Sequence, residues 1–144
     1  AWAPSVSVFA NSTLQRIQGN AGTGSFNTTF FPLTGSWGVN LARPKYTVKF
    51  NWNYRSALRR GAIASTATNS IERGTYNYDG SRLYLDINGE YYLSRRFGLF
   101  ASLRNIADVT DTAYAYGPST PAYARFIQRN DYSAAWTFGL KGTF

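Results

Sequence analysis

Apolar and polar side chains alternate with a period of two along six runs of this chain. In the first, Val6, Val8, Ala10 and Leu14 share a face, with Ser7, Asn11, Thr13 and Gln15 among those opposite and Phe9 as an exception on the polar side. In the second, Trp37, Val39 and Leu41 alternate with Gly38, Asn40 and Ala42. The third sets Tyr46, Val48, Phe50, Trp52 and Tyr54 against Thr47, Lys49, Asn51, Asn53 and Arg55. In the fourth, Leu83, Leu85, Ile87, Tyr91 and Leu93 oppose Arg82, Tyr84, Asp86, Asn88, Glu90 and Tyr92. The fifth places Phe97, Leu99, Ala101 and Leu103 against Gly98, Phe100, Ser102 and Arg104. The sixth runs from Tyr132 to Phe144, with Trp136, Phe138, Leu140 and Phe144 on its apolar side. Successive side chains of a strand point to opposite faces, so each run predicts a strand with one apolar and one polar wall. None fits helical spacing better.

The links carry a second pattern. Arg43-Pro44-Lys45 and Ser94-Arg95-Arg96 are short turns, while the stretches 17–36, 56–81 and 106–131 are long and rich in Gly, Ser, Thr, Asn and Ala. Short and long links alternate strictly, as the periplasmic turns and extracellular loops of a bacterial barrel do. The long links hold short runs, above all Tyr123 to Gln128, that would extend existing hairpins above a membrane. From Tyr46 to Tyr54 a strand spans about 26 Å, or about 19 Å along the membrane normal at a tilt near 45°. Rings at strand ends then suit the two aromatic girdles of a barrel. The membrane-facing and girdle positions expected on this reading are Tyr46, Phe50, Trp52, Tyr54, Tyr91, Trp136 and Phe138.

Register adds one pairing. If Leu93 faces Phe97 across the Ser94 turn, Asp86 lies opposite Arg104, and the two form an inward-pointing charge pair. Glu90 sits four residues from Asp86 on the same wall, a spacing reminiscent of a glycosidase acid pair. The preferred reading is a lumen lining whose carboxylates are balanced by Lys49, Arg82, Arg104 and Lys141.

Composition removes most other chemistry. The chain has no Cys and no His, so thiolate metal sites, Cys nucleophiles and His-based acid–base catalysis are excluded. Its seven carboxylates fall in no ligand or catalytic motif, and no catalytic residue, metal or cofactor is expected. The chain is therefore not read as an enzyme. A net charge of +8 is spread along the sequence rather than grouped, which argues against a nucleic-acid surface. The aromatic content of 17% is the unusual figure, and no stretch is long and apolar enough for a membrane helix.

Six strands are too few to close a barrel, and an open sheet in lipid leaves costly unpaired edges. The chain starts at Ala1 without a charged, apolar leader, so it is expected to be a piece of something longer. Three segments carry a family resemblance: Tyr46 to Arg55, Arg96 to Asp108 with its Leu103-Arg104-Asn105 core, and Trp136 to Phe144. Together with Tyr114 and Tyr116, they resemble the last strands of a TonB-dependent outer-membrane receptor. The likeness covers 36–144 well, and the first thirty-five residues by strand pattern only.

The resemblance implies an all-β fold, an antiparallel up-and-down meander of about six strands. That meander would be a partial transmembrane β-barrel, the last strands of a 22-stranded barrel with a plugged lumen. Residues 1–144 would be the C-terminal part of that barrel, with plug and earlier strands outside the chain. It implies energised uptake of a scarce nutrient such as a siderophore, cobalamin or an oligosaccharide, in the outer membrane of a Gram-negative bacterium. Implied partners are outer-membrane lipid and lipopolysaccharide, the remaining strands and plug, and the TonB complex through the missing N-terminal part. The barrel-assembly machinery is a further partner, reading Trp136, Phe138, Leu140 and Phe144 as its signal. Arg59, Arg60, Arg73, Arg125 and Arg129 in the links would meet lipopolysaccharide phosphates or an anionic ligand, or simply form a solvated surface.

Two other classes fit the alternation. One is a soluble all-β binding module, a sandwich with apolar inner faces. The other is a small autonomous outer-membrane barrel, which needs at least two more strands from the long links.

Overall fold

The computed structural model describes residues 3–16, 31–66 and 71–142. It is all-β. Ten antiparallel strands follow in order: β1 (Ser5–Leu14), β2 (Leu33–Arg43), β3 (Tyr46–Arg55), β4 (Leu58–Ala62), β5 (Tyr76–Asp79), β6 (Arg82–Tyr92), β7 (Phe97–Arg104), β8 (Asp111–Tyr116), β9 (Phe126–Asn130) and β10 (Ala135–Gly142). A 3-10 turn covers Ala122–Ala124.

The six strands expected from alternation form one sheet in the order β1-β2-β3-β6-β7-β10. Pro44 and Lys45 make the tight turn between the paired Arg43 and Tyr46, and proline's fixed φ suits such a corner. At the second turn the Ser94 hydroxyl oxygen accepts from the backbone N–H groups of Arg96 (3.2 Å) and Phe97 (3.1 Å). The Leu93 N–H donates to the Phe97 carbonyl at 3.0 Å, so the expected register across this turn is the observed one.

Alternation survives across the whole width of this sheet. The row Val8–Val39–Phe50–Ile87–Leu103–Trp136 crosses all six strands and is apolar throughout. One residue along, the row Ser7–Asn40–Lys49–Asn88–Ser102–Thr137 is polar throughout. A one-residue slip anywhere would move a strand's apolar set to the wrong wall, which is why the register is well specified.

The remaining four strands lie in the links and form a second sheet, β4-β5-β8-β9. Its order repeats that of β3, β6, β7 and β10, to which these strands are joined through short breaks at 56–57, 80–81, 105–110 and 131–134. The links 56–81 and 106–131, expected to be mainly loop, thus each contribute two short strands. The run expected at Tyr123 to Gln128 appears later, as β9 at Phe126–Asn130, after the 3-10 turn.

Asn105, Asp108 and Ser133 adopt positive φ (51°, 49° and 55°) at two of these breaks. Asn and Asp tolerate that conformation better than other side chains. Asn105 also ties the breaks together. Its Oδ1 accepts from the Val109 N–H (3.0 Å), and its Nδ2 donates to the carbonyls of Val109 (3.0 Å) and Ser133 (3.5 Å).

The two sheets are not stacked. Among the described residues each strand pairs with neighbours of its own sheet, and the apolar face of the six-stranded sheet is left exposed. A sandwich would bury its inner faces, yet Leu58 is the one buried large apolar side chain among the described residues.

Candidate functional site

The apolar wall of the six-stranded sheet is the largest chemical feature of the fold. Val8 is 72% exposed, Phe138 66% and Leu140 74%, and Val6, Leu14, Trp37, Leu83, Tyr91, Leu93, Phe97, Leu99 and Trp136 are exposed too. A contiguous apolar face of this size is unusual on a soluble monomer and marks a surface that meets lipid or protein. Among the described residues, no helix is long and apolar enough to cross a membrane.

The expected ring positions all lie on this wall. Tyr46 pairs with Tyr91 at the end carrying the short turns. At the opposite end Trp52 pairs with Trp37 and Leu85, and Tyr54 pairs with Leu83. Trp37 belongs to this group although its position near the start of a short sequence run gave no sign of it. Phe50 and Trp136 share a central row, and Phe138 lies in the next row with Val48, Gly89 and Ala101. Gly89 and Ala101 leave a shallow apolar groove there, bordered by Tyr46, Leu99, Phe138 and Leu140. Of the expected assembly signal, Trp136, Phe138 and Leu140 lie on the exposed wall, and Phe144 is outside the described residues.

The opposite wall is hydrogen-bonded across strands. The Ser36 hydroxyl donates to Asn11 Oδ1 (3.1 Å) and the Ser102 hydroxyl to Asn88 Oδ1 (2.8 Å). The Lys141 ammonium donates to Glu90 Oε2 at 2.6 Å, and the Tyr92 hydroxyl donates to the same oxygen at 2.8 Å. Lys141 reaches Glu90 past β7 because its neighbour there is Gly98, which has no side chain to block it. Glu90 is therefore a partner in an ion pair on the polar wall, and it faces Lys141 rather than a second carboxylate.

Asp86 and Arg104 do not form the expected ion pair. Continuing the ladder from Ile87↔Leu103 would set them opposite each other. Asp86 Oδ1 instead accepts the backbone N–H of Asn105 at 2.9 Å, and the ion pairs among the described residues are Arg60–Asp79, Arg82–Asp111, Arg129–Asp131 and Lys141–Glu90. The chain turns at Asn105, and the amide it exposes there competes for the carboxylate.

A second cluster sits where the two sheets meet. Arg55 and Arg82 are direct cross-strand partners on the polar wall. Asp111, at the start of β8, accepts from Arg82 and from the Tyr84 hydroxyl (3.1 Å). Burial pushes the Asp111 carboxyl up, but the bonds from Arg82 and Tyr84 outweigh it and hold it below the usual carboxylate range. Arg60 grips Asp79 through Nε (2.9 Å) and Nη2 (2.5 Å), which raises its pKa. Arg55, Arg60, Asp79, Arg82 and Asp111, with Asn130 and Tyr132, line a cleft of about 290 Å³.

The upper sheet carries rings and guanidinium groups. Tyr78 and Tyr116 stack with centroids 4.0 Å apart, Tyr114 meets Phe126 edge-on, and Arg59 and Arg125 lie 4.7 Å over Tyr76 and Tyr116. Burial and the neighbouring Tyr116 push the Tyr78 hydroxyl up. Of the five link arginines, Arg59 and Arg125 lie on rings and Arg60 and Arg129 on carboxylates, while Arg59, Arg60 and Arg129 remain exposed to solvent.

Sequence reasoning missed the junction. Arg55 and Arg82 each end a polar face, and that was the only sign available. Among the described residues, no group of three or more acidic, His or Cys side chains is placed to hold a metal. No protein-family model, curated protein or solved structure matches the chain.

Proposed function

We propose that this chain is the C-terminal barrel segment of an outer-membrane TonB-dependent receptor, which takes up a scarce nutrient with energy from the inner membrane. The observation that carries the membrane part is the six-strand apolar row from Val8 to Trp136 on a sheet whose apolar wall is exposed among the described residues. Lipid is the covering that matches a wall of this chemistry, with rings at both ends and a hydrogen-bonded polar wall behind it.

The edges support a larger closed sheet. β1 (Ser5–Leu14) contains no charge and no proline, and its ladder has no bulge. β10 carries one charge, Lys141. Exposed edges are normally blunted by such devices, because unpaired strand groups recruit other chains. Strands left open on both sides are suited to pairing with further strands, and closure removes the edges altogether.

The receptor part rests on the resemblance of Tyr46 to Arg55, Arg96 to Asp108 and Trp136 to Phe144. The hairpins carried past the membrane by β4, β5, β8 and β9 suit a ligand-collecting mouth. Partners on this reading are outer-membrane lipid, lipopolysaccharide, the earlier strands and plug, the assembly machinery and the TonB complex. The coding sequence upstream of Ala1 tests it. A frame running through further alternating strands to a plug and an energy-coupling motif is the expected result. A start codon or signal-cleavage site just before Ala1 would overturn it in favour of a small autonomous barrel.

A further inference from the structure

We infer that Arg55 is the anchor of an oxyanion-binding site, built into the cleft between the two sheets and suited to a carboxylate or phosphate group of a soluble molecule. Arg55 and Arg82 stand directly opposite each other on β3 and β6. Like charges so placed repel, and such an arrangement persists where anions compensate it. Asp111 compensates Arg82, and Asp79 compensates Arg60. Among the described residues Arg55 has no carboxylate at ion-pair distance, Asp111 and Asp79 acting on it only from farther off, and its buried Nε has no acceptor. A buried donor left unmade costs free energy, more so on a charged group, and calls for an explanation.

The geometry around Arg55 supplies one. Its guanidinium carbon lies 4.0 Å over the Phe31 ring. Stacking fixes the plane of the fork, and a guanidinium so held recognises carboxylate and phosphate with paired hydrogen bonds. The cleft beside it, about 290 Å³, is lined by Arg55, Arg60 and Arg82 against Asp79 and Asp111, an excess of one positive charge. Asn130 and Tyr132 add neutral polar groups on its far side. Arg55 and Arg82 both belong to the polar wall, so the cleft is reached from water rather than from lipid. Its chemistry is the same whether the sheet ends in a large barrel or a small one.

The test uses inorganic phosphate as the probe, on the full chain in detergent micelles at constant ionic strength with chloride as the control. Phenylglyoxal labelling of arginines, read peptide by peptide, is expected to be slowed by phosphate at Arg55, with Arg59 and Arg125 labelled at unchanged rates. By calorimetry, Arg55→Gln is expected to weaken phosphate binding by about tenfold or more, as loss of a desolvated charged partner does. Arg55→Lys should keep part of the affinity and Arg59→Gln all of it. Labelling of the unmodified chain decides the matter should Arg55→Gln fail to fold. Equal slowing by chloride and phosphate, equal protection of all three arginines, or Arg55→Gln binding like the parent chain would each overturn the site.

Discussion

The Phe100 ring lies across Gly139, its directly paired residue on the neighbouring strand, so that a β-carbon on Gly139 would come within 2.5 Å of the ring's Cζ. Phe9 does the same to its own partner, Gly38. These are the two phenylalanines on the otherwise polar wall of the sheet. Each covers a glycine that would otherwise expose backbone, the cross-strand arrangement called aromatic rescue. The exception to alternation at Phe9 thus has a structural reason.

The two glycines should differ in tolerance. At Gly139 the new methyl would meet only the Phe100 ring, which can swing aside at a cost of about 1 kcal/mol. At Gly38 it would also strike the Phe50 carbonyl, which is backbone and cannot. Gly38→Ala is expected to cost about 1–3 kcal/mol and clearly more than Gly139→Ala, by denaturant unfolding in detergent. Equal costs would mean that the Phe50 backbone yields as easily as a ring.

Asn105 should prove a joint between the two sheets. Asn105→Ala removes its bonds to Val109 and Ser133 and places a less tolerant residue at φ 51°. A loss of about 1–2 kcal/mol is expected, with faster hydrogen exchange in β8 and β9. Asn105→Gly keeps the backbone conformation accessible and should be the milder change. The reverse order would contradict the role given to φ.

Asp111 should hold the opposed arginines together. Asp111→Asn leaves Arg55 facing Arg82 without the Asp111 charge, and the Arg82 and Asp111 side chains are only about a quarter exposed. It should destabilise by about 1–3 kcal/mol. The loss should shrink in high salt, because screening weakens the repulsion that remains. A salt-independent loss would locate the effect in packing instead.

The upper sheet has a pH-sensitive tie. Glu72 Oε2 accepts from the Ser119 hydroxyl (2.5 Å) and backbone N–H (3.1 Å), and both bonds lower its pKa. A depressed carboxyl contributes stability that is full above its unfolded pKa and is lost as pH falls through its lower folded value. Protection of the Ser119 amide, its exchange rate relative to the intrinsic rate at each pH, should therefore fall at acid pH, below the ordinary carboxylate range. Glu72→Gln should flatten that dependence. An unchanged profile in the variant would remove Glu72 as its source.

The six-stranded sheet was legible because period-two alternation and two short turns act locally. A two-residue corner at Pro44-Lys45 sets the pairing of β2 with β3, and Ser94 sets that of β6 with β7, with no need of distant information. The upper strands were harder to read, since runs of four to six residues interrupted by Asn105, Asp108 and Ser133 give too short a pattern. The junction was hidden for another reason. Arg55 meets Arg82 only through the register of β3 on β6, which a long link separates, and Arg82 meets Asp111 across 29 residues. Register across the Ser94 turn sets Asp86 opposite Arg104, but the turn at Asn105 offers a nearer backbone donor.

The most direct test of a lipid-facing wall uses the chain's lack of cysteine, which makes every introduced thiol unique. Spin labels placed singly at positions 136 to 141 in a reconstituted bilayer would report accessibility to oxygen, which partitions into lipid, and to a water-soluble nickel complex. The account expects labels replacing Trp136, Phe138 and Leu140 to favour oxygen, and labels replacing Thr137, Gly139 and Lys141 to favour nickel. Equal access of nickel to both sets, or an apolar set shielded from both agents, would contradict it.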